Sequence, residues 1–268
     1  MGLPGSPVFG LTTLSAEVIE PVLGPDLVLW LDATDITGQG TAPGKSVGGG
    51  PITTWADKST YHNDARQTVP SQQPVWVFEA ADGGVQAVRF QAARRQHLAV
   101  SNSPSLDVPG LTAFVVAWAG ESGGPAWLFS KNEWGPLWSG YGIALSGDGQ
   151  RPWPHLGLDT GAHGYFQFSG ELAAGLRVVE VICDGQSVKG LLEGNPDREQ
   201  ACRGSILKNS QPLTIGTLGN QFLEGDIAEI LLYRRALSSQ EREQTRRYLM
   251  RKYSLPRGLV KPGQSSLV

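Results

Sequence analysis

The sequence predicts an all-β protein, a two-sheet antiparallel sandwich with one C-terminal α-helix. Short apolar runs rich in β-branched residues recur along the chain, and 35 Gly and 18 Pro are spread among its 268 residues as turn positions without any repeat. At least ten such runs imply two stacked antiparallel sheets. A helix pattern stands out only after the last of these runs, near residue 238.

The predicted strands follow one another between turn residues. Leu27–Asp32 is a first buried strand, whereas residues 53–67 have a polar centre typical of a tight loop bonded by its own side chains. Asp184-Gly185 predicts a hairpin with a type I′ turn, because that turn needs positive φ at both central residues. The other predicted strands are 87–91, 97–100, 112–118, 127–130, 142–146, 177–183, 186–192, 212–216 and 227–233.

The last predicted strand passes directly into a helix. Ile227 and residues 230–233 form an apolar, β-rich run. Ser238 lies three residues before Glu241, the capping-box spacing that marks a helix N-terminus. We therefore expect a helix over 239–251 that buries only a narrow apolar stripe.

The chain is predicted to hold one domain, 25–255, between an N-terminal Pro/Gly-rich arm (1–24) and a C-terminal tail (256–268). The first residues have neither a basic region nor a continuous apolar stretch, so they do not resemble a secretory signal. No segment has the apolar length needed to span a membrane. We expect the two arms to contact other subunits of an assembly, with packing on the same chain as the alternative.

Charge and cysteine content exclude some classes of protein. The net charge is −3 with both signs mixed, which does not indicate a nucleic-acid-binding face. Cys183 lies in an apolar run, which favours a buried free thiol, and its spacing to Cys202 is not that of a metal site. A basic cluster near the C-terminus is interpreted as a solvated helix face with Glu–Arg pairs rather than a phosphate site. Its members are Arg234, Arg235, Arg242, Arg246, Arg247, Arg251 and Lys252.

Five motifs in order resemble one known family. They are residues 29–35 (LWLDATD), 55–65 (WADKSTYHNDA), 88–90 (VRF), 213–216 (LTIG) and 222–238 (FLEGDIAEILLYRRALS). This order resembles the laminin-G-like jelly rolls of the concanavalin A-like lectin/glucanase superfamily, over about residues 25–255. The resemblance implies a jelly-roll sandwich. It does not fix the function, because this fold carries lectins, hydrolases, lyases, adhesion modules and virion proteins alike.

Three acidic residues in the last strand, Glu224, Asp226 and Glu229, are similar to the Glu-x-Asp-x-x-Glu strand of related β-glucanases. There one Glu is the nucleophile and the other the general acid/base, and a retaining hydrolase needs the two carboxyl groups about 5 Å apart. The sequence departs from that pattern at Gly225, where the enzymes carry an apolar residue. A glycan-cleaving hydrolase using Glu224 and Glu229 is therefore the minority hypothesis.

Asp57 and Asn63 are candidate calcium ligands, and calcium is the one cofactor that the sequence suggests. Relatives in this fold often bind Ca²⁺ at loop ends, with carboxylate, amide and carbonyl oxygens. The alternative, which we favour, is that Asp57 and Asn63 bond the backbone of their own loop as Asx turns.

Aromatic residues between 127 and 166 supply the candidate binding site. Sugar rings stack on aromatic faces while polar side chains bond their hydroxyls, although core packing uses the same residue types. Trp127 is predicted to lie in the core. The four histidines show no zinc spacing and are interpreted as loop hydrogen-bonders. The residues proposed to bind a glycan or a partner are Asn132, Trp134, Trp138, Tyr141 and Trp153.

Three functional hypotheses follow from the sequence. The favoured one is a non-enzymatic structural or adhesion protein of a multisubunit assembly, a bacteriophage virion component such as a decoration, tail or fibre-associated protein, with binding of cell-surface glycans. The second is an extracellular carbohydrate-binding module whose export signal is missing from this sequence. The third is the hydrolase. The favoured hypothesis reconciles a mostly extracellular fold with the absence of a signal pattern and with only two cysteines.

Overall fold

A computed structural model describes residues 19–40, 49–78, 80, 84–135, 138–148, 150–173 and 175–255. Their strands form two antiparallel sheets, followed by one α-helix, which confirms the predicted fold class. The strands are β1 (Leu27–Asp32), β2 (Gly50–Pro51), β3 (Thr54–Trp55), β4 (Ala65–Arg66), β5 (Val75–Val77), β6 (Ala87–Phe90), β7 (Leu98–Val100), β8 (Leu111–Ala119), β9 (Ala126–Ser130), β10 (Gly140–Leu145), β11 (Pro152–Gly157), β12 (His163–Tyr165), β13 (Arg177–Cys183), β14 (Ser187–Leu192), β15 (Asn195–Ala201), β16 (Leu213–Ile215), β17 (Thr217–Leu218), β18 (Gln221–Phe222) and β19 (Gly225–Tyr233), and the helix is α1 (Ser239–Lys252).

The larger sheet has nine strands in the order β15-β14-β13-β8-β19-β6-β5-β2, and β1 also pairs with β19. The closing strand β19 therefore lies at its centre, bonded to β8 along its whole length. The second sheet has eight strands in the order β12-β11-β10-β9-β16-β7-β4-β3, and β17 and β18 form a separate pair.

The main core lies between the two sheets, and a second apolar cluster lies on the opposite face of the nine-stranded sheet. Strand β8 shows why both faces are apolar: Ala113 and Val115 belong to the main core, whereas Phe114 and Val116 belong to the second cluster. Successive strand side chains point to opposite faces, so a strand covered on both sides has no polar alternation.

Helix α1 covers the second cluster. Ser238 caps its N-terminus through the predicted capping box with Glu241, and Leu249 and Tyr253 pack beneath it on the sheet. The basic cluster is only partly solvated, contrary to our prediction. Arg242 donates to Glu180, which is fully buried on β13, at 2.9 Å.

The end of the N-terminal arm contacts this helix. Val22 N donates to Thr245 Oγ1, and Gln244 Nε2 donates to the carbonyl of Glu20. Packing on the same chain, the alternative to a subunit contact, is therefore observed for this part of the arm. The rest of the arm, residues 1–18, and the tail, 256–268, lie outside the described residues.

The hairpin between β13 and β14 is present, but its turn differs from the predicted type I′. Three residues link the strands, and only Gly185 has positive φ, at 80°. Asp184 Oδ1 accepts the backbone N–H groups of Gln186 and Ser187, so an Asx-type loop replaces the two-residue turn. Cys183 is buried and free, as its apolar run predicts, and Cys202 is buried and free as well. None of the helices in the described part of the chain is long and apolar enough to cross a membrane.

Candidate functional site

The eight-stranded sheet carries a row of aromatic side chains on the face turned away from the core. Along β11, Leu156 belongs to the main core, so the alternating residues Trp153 and His155 project from the other face. Strand β12 pairs with β11, placing Tyr165 opposite His155. We call the following set the aromatic strip: Trp134, Trp138, Trp153, His155, His163 and Tyr165.

His155 is the centre of the aromatic strip. Its imidazole centroid lies 4.8 Å from Trp138, 4.9 Å from Trp153 and 6.3 Å from Tyr165. Trp127, which is buried as predicted, lies with its ring 5.0 Å from this imidazole and donates Nε1–H to Gln221. Rings at these separations attract one another edge-to-face or offset, so the strip is held by its own contacts.

The loop after β9 brings Trp134 and Trp138 to the strip. The backbone of Trp138 passes directly over Gly157, where a Cβ would overlap the Trp138 carbonyl. Since a larger residue there would push the loop away, Gly157 is needed for this close approach. The Trp138 ring then contacts Trp134 at 5.4 Å and His163 at 5.5 Å, with both pairs of rings tilted.

Asn132 sits beside this cluster for a similar reason. A Cβ at Gly142 would lie 2.9 Å from Asn132 Nδ2, so the glycine leaves room for the amide. Gly142 is the cross-strand partner of His155, which places Asn132 next to the centre of the strip. The amide donates to Ser130 Oγ at 3.2 Å.

The two ends of the strip face solvent. The side chain of Trp134 is 62% exposed and that of Tyr165 49%, and both stand among the four most exposed large apolar residues of the described chain. Trp138 and Trp153 between them are half-buried. Exposing large aromatic rings to water is unfavourable, because the free energy of burying their apolar surface is not gained. A group of such exposed rings is typical of a binding surface.

Polar atoms without partners are concentrated in the same place. Most buried polar atoms in proteins are hydrogen-bonded, so each exception requires a reason. Half of the ten unpaired buried side-chain atoms among the described residues belong to the strip or to Asn132. They are Asn132 Oδ1, Trp138 Nε1, Trp153 Nε1, His155 Nδ1 and His163 Nδ1.

Burial also determines the charge of the central imidazole. Desolvation lowers the pKa of His155 to about 4, because burial in the aromatic cluster removes the ring from water and so disfavours its charged form. At neutral pH His155 is therefore uncharged, and its ring nitrogens are one donor and one acceptor.

Tyr141 is not part of this surface, contrary to our prediction. Its side chain is 1% exposed, belongs to the main core and donates its hydroxyl to the carbonyl of Leu106. The reason is strand alternation: Tyr141 and Ile143 point inward from β10, whereas Gly142 between them faces the strip. Of the five predicted residues, the structure thus brings together Asn132, Trp134, Trp138 and Trp153.

The candidate calcium ligands are engaged in protein hydrogen bonds. Asp57 accepts four: Oδ1 from the amides of Trp30 and Ser59, and Oδ2 from Ser59 Oγ and the amide of Asn63. Asn63 donates to the Val28 carbonyl. This is the Asx-turn alternative to the calcium site. In the described parts of the chain, no three His, Cys, Asp or Glu side chains come together as a metal site.

The carboxylates of the hydrolase hypothesis do not face each other in a cleft. Glu229 is fully buried beneath α1, where Tyr248 and Tyr253 donate to it at 2.9 and 2.8 Å and Lys252 at 2.7 Å. Burial raises the pKa of Glu229, against the opposing effect of Lys252. Glu224 is elsewhere engaged, accepting the backbone N–H of Ala92 at 2.9 Å.

Asp226, the third acid of that motif, forms a bidentate ion pair with Arg89 on the neighbouring strand. Glu229 cannot reach a substrate without removal of the helix, so the structure does not place Glu224 and Glu229 as the nucleophile and acid/base of the minority hydrolase hypothesis. The three acids instead fasten β19 to its neighbours.

Sequence reasoning missed His155 and His163 as site residues, since it placed them in loops. The usable signal was the alternation Trp153-x-His155 and His163-x-Tyr165 on two short segments. It was obscured because β11 begins with Pro152 and carries Pro154, which weaken a strand prediction.

The fold has known structural counterparts. No family model and no curated protein matches the sequence. The binding domain of Paraclostridial Mosquitocidal Protein 1 aligns with 83% of this chain and 52% of its own length, with TM-score 0.60 and 14% identity. The botulinum neurotoxin serotype G binding domain aligns with 84% of this chain and 51% of its own, with TM-score 0.52 and 9% identity. A Trypanosoma rangeli sialidase aligns with 88% of this chain and 36% of its own, with TM-score 0.50 and 16% identity. The chain thus spans about half the length of the toxin domains and about a third of the sialidase, and at these identities it is similar to them in fold.

Proposed function

We propose that this protein is a non-catalytic carbohydrate-binding domain that holds a glycan on the aromatic strip. The observation that carries the proposal is the row of aromatic rings on one sheet face, exposed to solvent at both ends. Pyranose rings stack on aromatic faces through their C–H side, and their hydroxyls bond amide, indole and imidazole groups. Structural relatives named as binding domains agree with this choice.

The experiment that tests the proposal is a screen of the whole chain on a glycan array, followed by titration of the hits with Trp134→Ala. Because Trp134 is 62% exposed and its ring contact is with Trp138, removing it should leave the fold intact. We expect at least about a tenfold loss of affinity, roughly 1.4 kcal/mol. Val69→Ala, at a site 46% exposed and outside the strip, is the matched control and should bind as wild type. Unchanged affinity of Trp134→Ala for every hit would refute the site.

The biological setting that we propose for this binding is adhesion by a multisubunit assembly, such as a bacteriophage particle, in which the rest of the N-terminal arm, residues 1–18, and the tail, 256–268, contact neighbouring subunits. Support comes from the sequence: Pro/Gly-rich arms that lie outside the resemblance to the sandwich family. Deleting residues 1–18, which keeps the contacts of Glu20 and Val22 with α1, should abolish incorporation into particles, measured by mass spectrometry of purified virions. Normal incorporation of the truncated chain would rule out the arm as the contact.

A further inference from the structure

The order of ring contacts shows how large a ligand the strip can hold. Trp134 meets Trp138 at 5.4 Å, Trp138 meets His155 at 4.8 Å, and His155 meets Tyr165 at 6.3 Å. Trp134 and Tyr165 have no ring contact with each other among the described residues, so they stand at opposite ends of this order. One indole face accommodates about one sugar ring, so a ligand that touches both exposed ends must contain several sugar rings.

The angles between the ring planes indicate whether the ligand is a flat crystalline surface or a single chain. The planes of Trp134 and Trp138 are inclined by 37°, those of Trp138 and His155 by 67°, and those of Trp153 and Tyr165 by 41°. A flat crystalline surface can stack only on rings that lie in one plane. Inclined rings fit instead a single chain whose successive sugar rings rotate relative to one another.

The chemistry of the strip indicates a ligand without charge. Its side chains are three indoles, one phenol and two imidazoles, with the amide of Asn132 beside them. The nearest lysine along the loop, Lys131, is directed away, because its Nζ donates to the carbonyl of Asn209 at 2.8 Å and its side chain is 2% exposed. None of the six residues of the aromatic strip is Lys or Arg, so an acidic glycan would have no such cation within the strip to pair with, and its charges would lose hydration.

We propose that the aromatic strip binds at least three consecutive residues of a single, neutral, soluble polysaccharide chain, an inference that rests on the carbohydrate-binding function proposed above. The terminal rings of Trp134 and Tyr165 stack on the outer sugars, and Trp138 and Trp153 form the middle of the site.

The test is calorimetric titration with gluco-, xylo-, manno-, galacto- and arabino-oligosaccharides of one to six residues. For the sugar that binds, we expect affinity to rise at least tenfold from the monosaccharide to the trisaccharide and then to level off. Equal affinity for one and three residues would overturn this inference and leave the binding function standing. Absence of binding to any saccharide, neutral or acidic, would overturn both.

Two further experiments test whether the ligand is a single soluble chain and whether it is uncharged. Crystalline cellulose and chitin should not retain the protein in pull-downs, and polygalacturonate and heparin should not slow it in affinity electrophoresis; retention by either class would contradict the inference.

Tyr165→Ala should lower the affinity for the trisaccharide about tenfold while the weak monosaccharide affinity changes less than twofold. A Trp134-dependent dimer in sedimentation, with no saccharide bound, would show that a second copy of the chain is the occupant.

Discussion

His155 lies where four aromatic rings meet, and its burial makes a prediction about pH. The imidazole titrates near 6.5 in the unfolded chain and near 4 in the folded protein. Because its folded pKa is lowered, the unfolded state binds more protons between those values, so the stability that His155 contributes is complete above about pH 6.5 and falls as the pH falls toward 4.

We therefore expect His155→Gln to remove part of the acid sensitivity of the protein. Between pH 7 and pH 5 the wild type should lose about 2 kcal/mol of unfolding free energy that the variant retains. Urea titrations of both proteins at the two pH values measure this difference. Parallel losses in wild type and variant would show that the ring is protonated without penalty in the fold.

Asp57 makes a second prediction at this scale, because four donors depend on its carboxylate. Asp57→Ala leaves the buried amides of Trp30 and Asn63 unpaired and should cost at least about 3 kcal/mol of unfolding free energy, whereas Ser59→Ala should cost about 1 kcal/mol.

We expect the unfolding temperature of the wild type to be the same in calcium and in chelator. A rise of several degrees in calcium would instead support the predicted ion at Asp57 and Asn63.

At the scale of elements, α1 shows how a local signal and a tertiary contact combine. The capping box of Ser238 and Glu241 determines where the helix begins, and Arg235 pairs with Glu241 at 2.6 Å. These contacts lower the pKa of Glu241 to about 2, the bond from Arg235 contributing most. Near its C-terminal end, the helix covers Glu229 on β19. This burial keeps the Glu229 carboxylate away from any substrate, so its role is structural.

Ser238→Ala should destabilise the protein by about 1 kcal/mol, since it removes the side-chain acceptor for the Glu241 amide. Thermal unfolding followed by circular dichroism at 222 nm would measure the loss. Ser239→Ala, one residue inside the helix, is the matched control and should change stability by less than about half as much. Equal effects of the two substitutions would argue against the cap.

The loop over β11 gives another prediction for an element. Gly157→Ala places a methyl group against the Trp138 carbonyl, so the loop must move off the strip while the main core stays packed. We expect saccharide affinity to fall at least tenfold, with an unfolding temperature closer to wild type than that of Gly190→Ala, whose Cβ would overlap Phe168 in the main core. Unchanged affinity would separate Trp138 from the binding site.

At the scale of the whole molecule, the two apolar clusters share the strands of the nine-stranded sheet. Residues of β8 alternate between them, so neither cluster can come apart while the other keeps its strands. We predict one cooperative thermal transition, with coincident midpoints for tryptophan fluorescence and for circular dichroism in the far ultraviolet. An earlier melting of α1, detected as a separate far-ultraviolet step, would contradict this coupling.

Local sequence patterns predicted the fold class, most of the longer strands, the buried thiol of Cys183 and the start of α1. These features depend on near neighbours: strand periodicity, Gly and Pro at turns, and a cap spaced by three residues. The sequence also pointed to the loop of Trp134 and Trp138, because exposed aromatic residues among Gly and polar residues are unusual. It could not tell that Tyr141 points inward while Trp153 points outward.

Which side chains share a surface depends on contacts between segments that are distant in the sequence. His155, Tyr165 and Trp138 meet because β10, β11 and β12 pair in one register and because Gly157 lets the loop pass close by. Glu229 does not act as a hydrolase carboxylate, because a helix that begins ten residues later folds back over it and Lys252 bonds it there. Such contacts join distant segments through strand pairing and packing, and local periodicity carries no information on which segments pair.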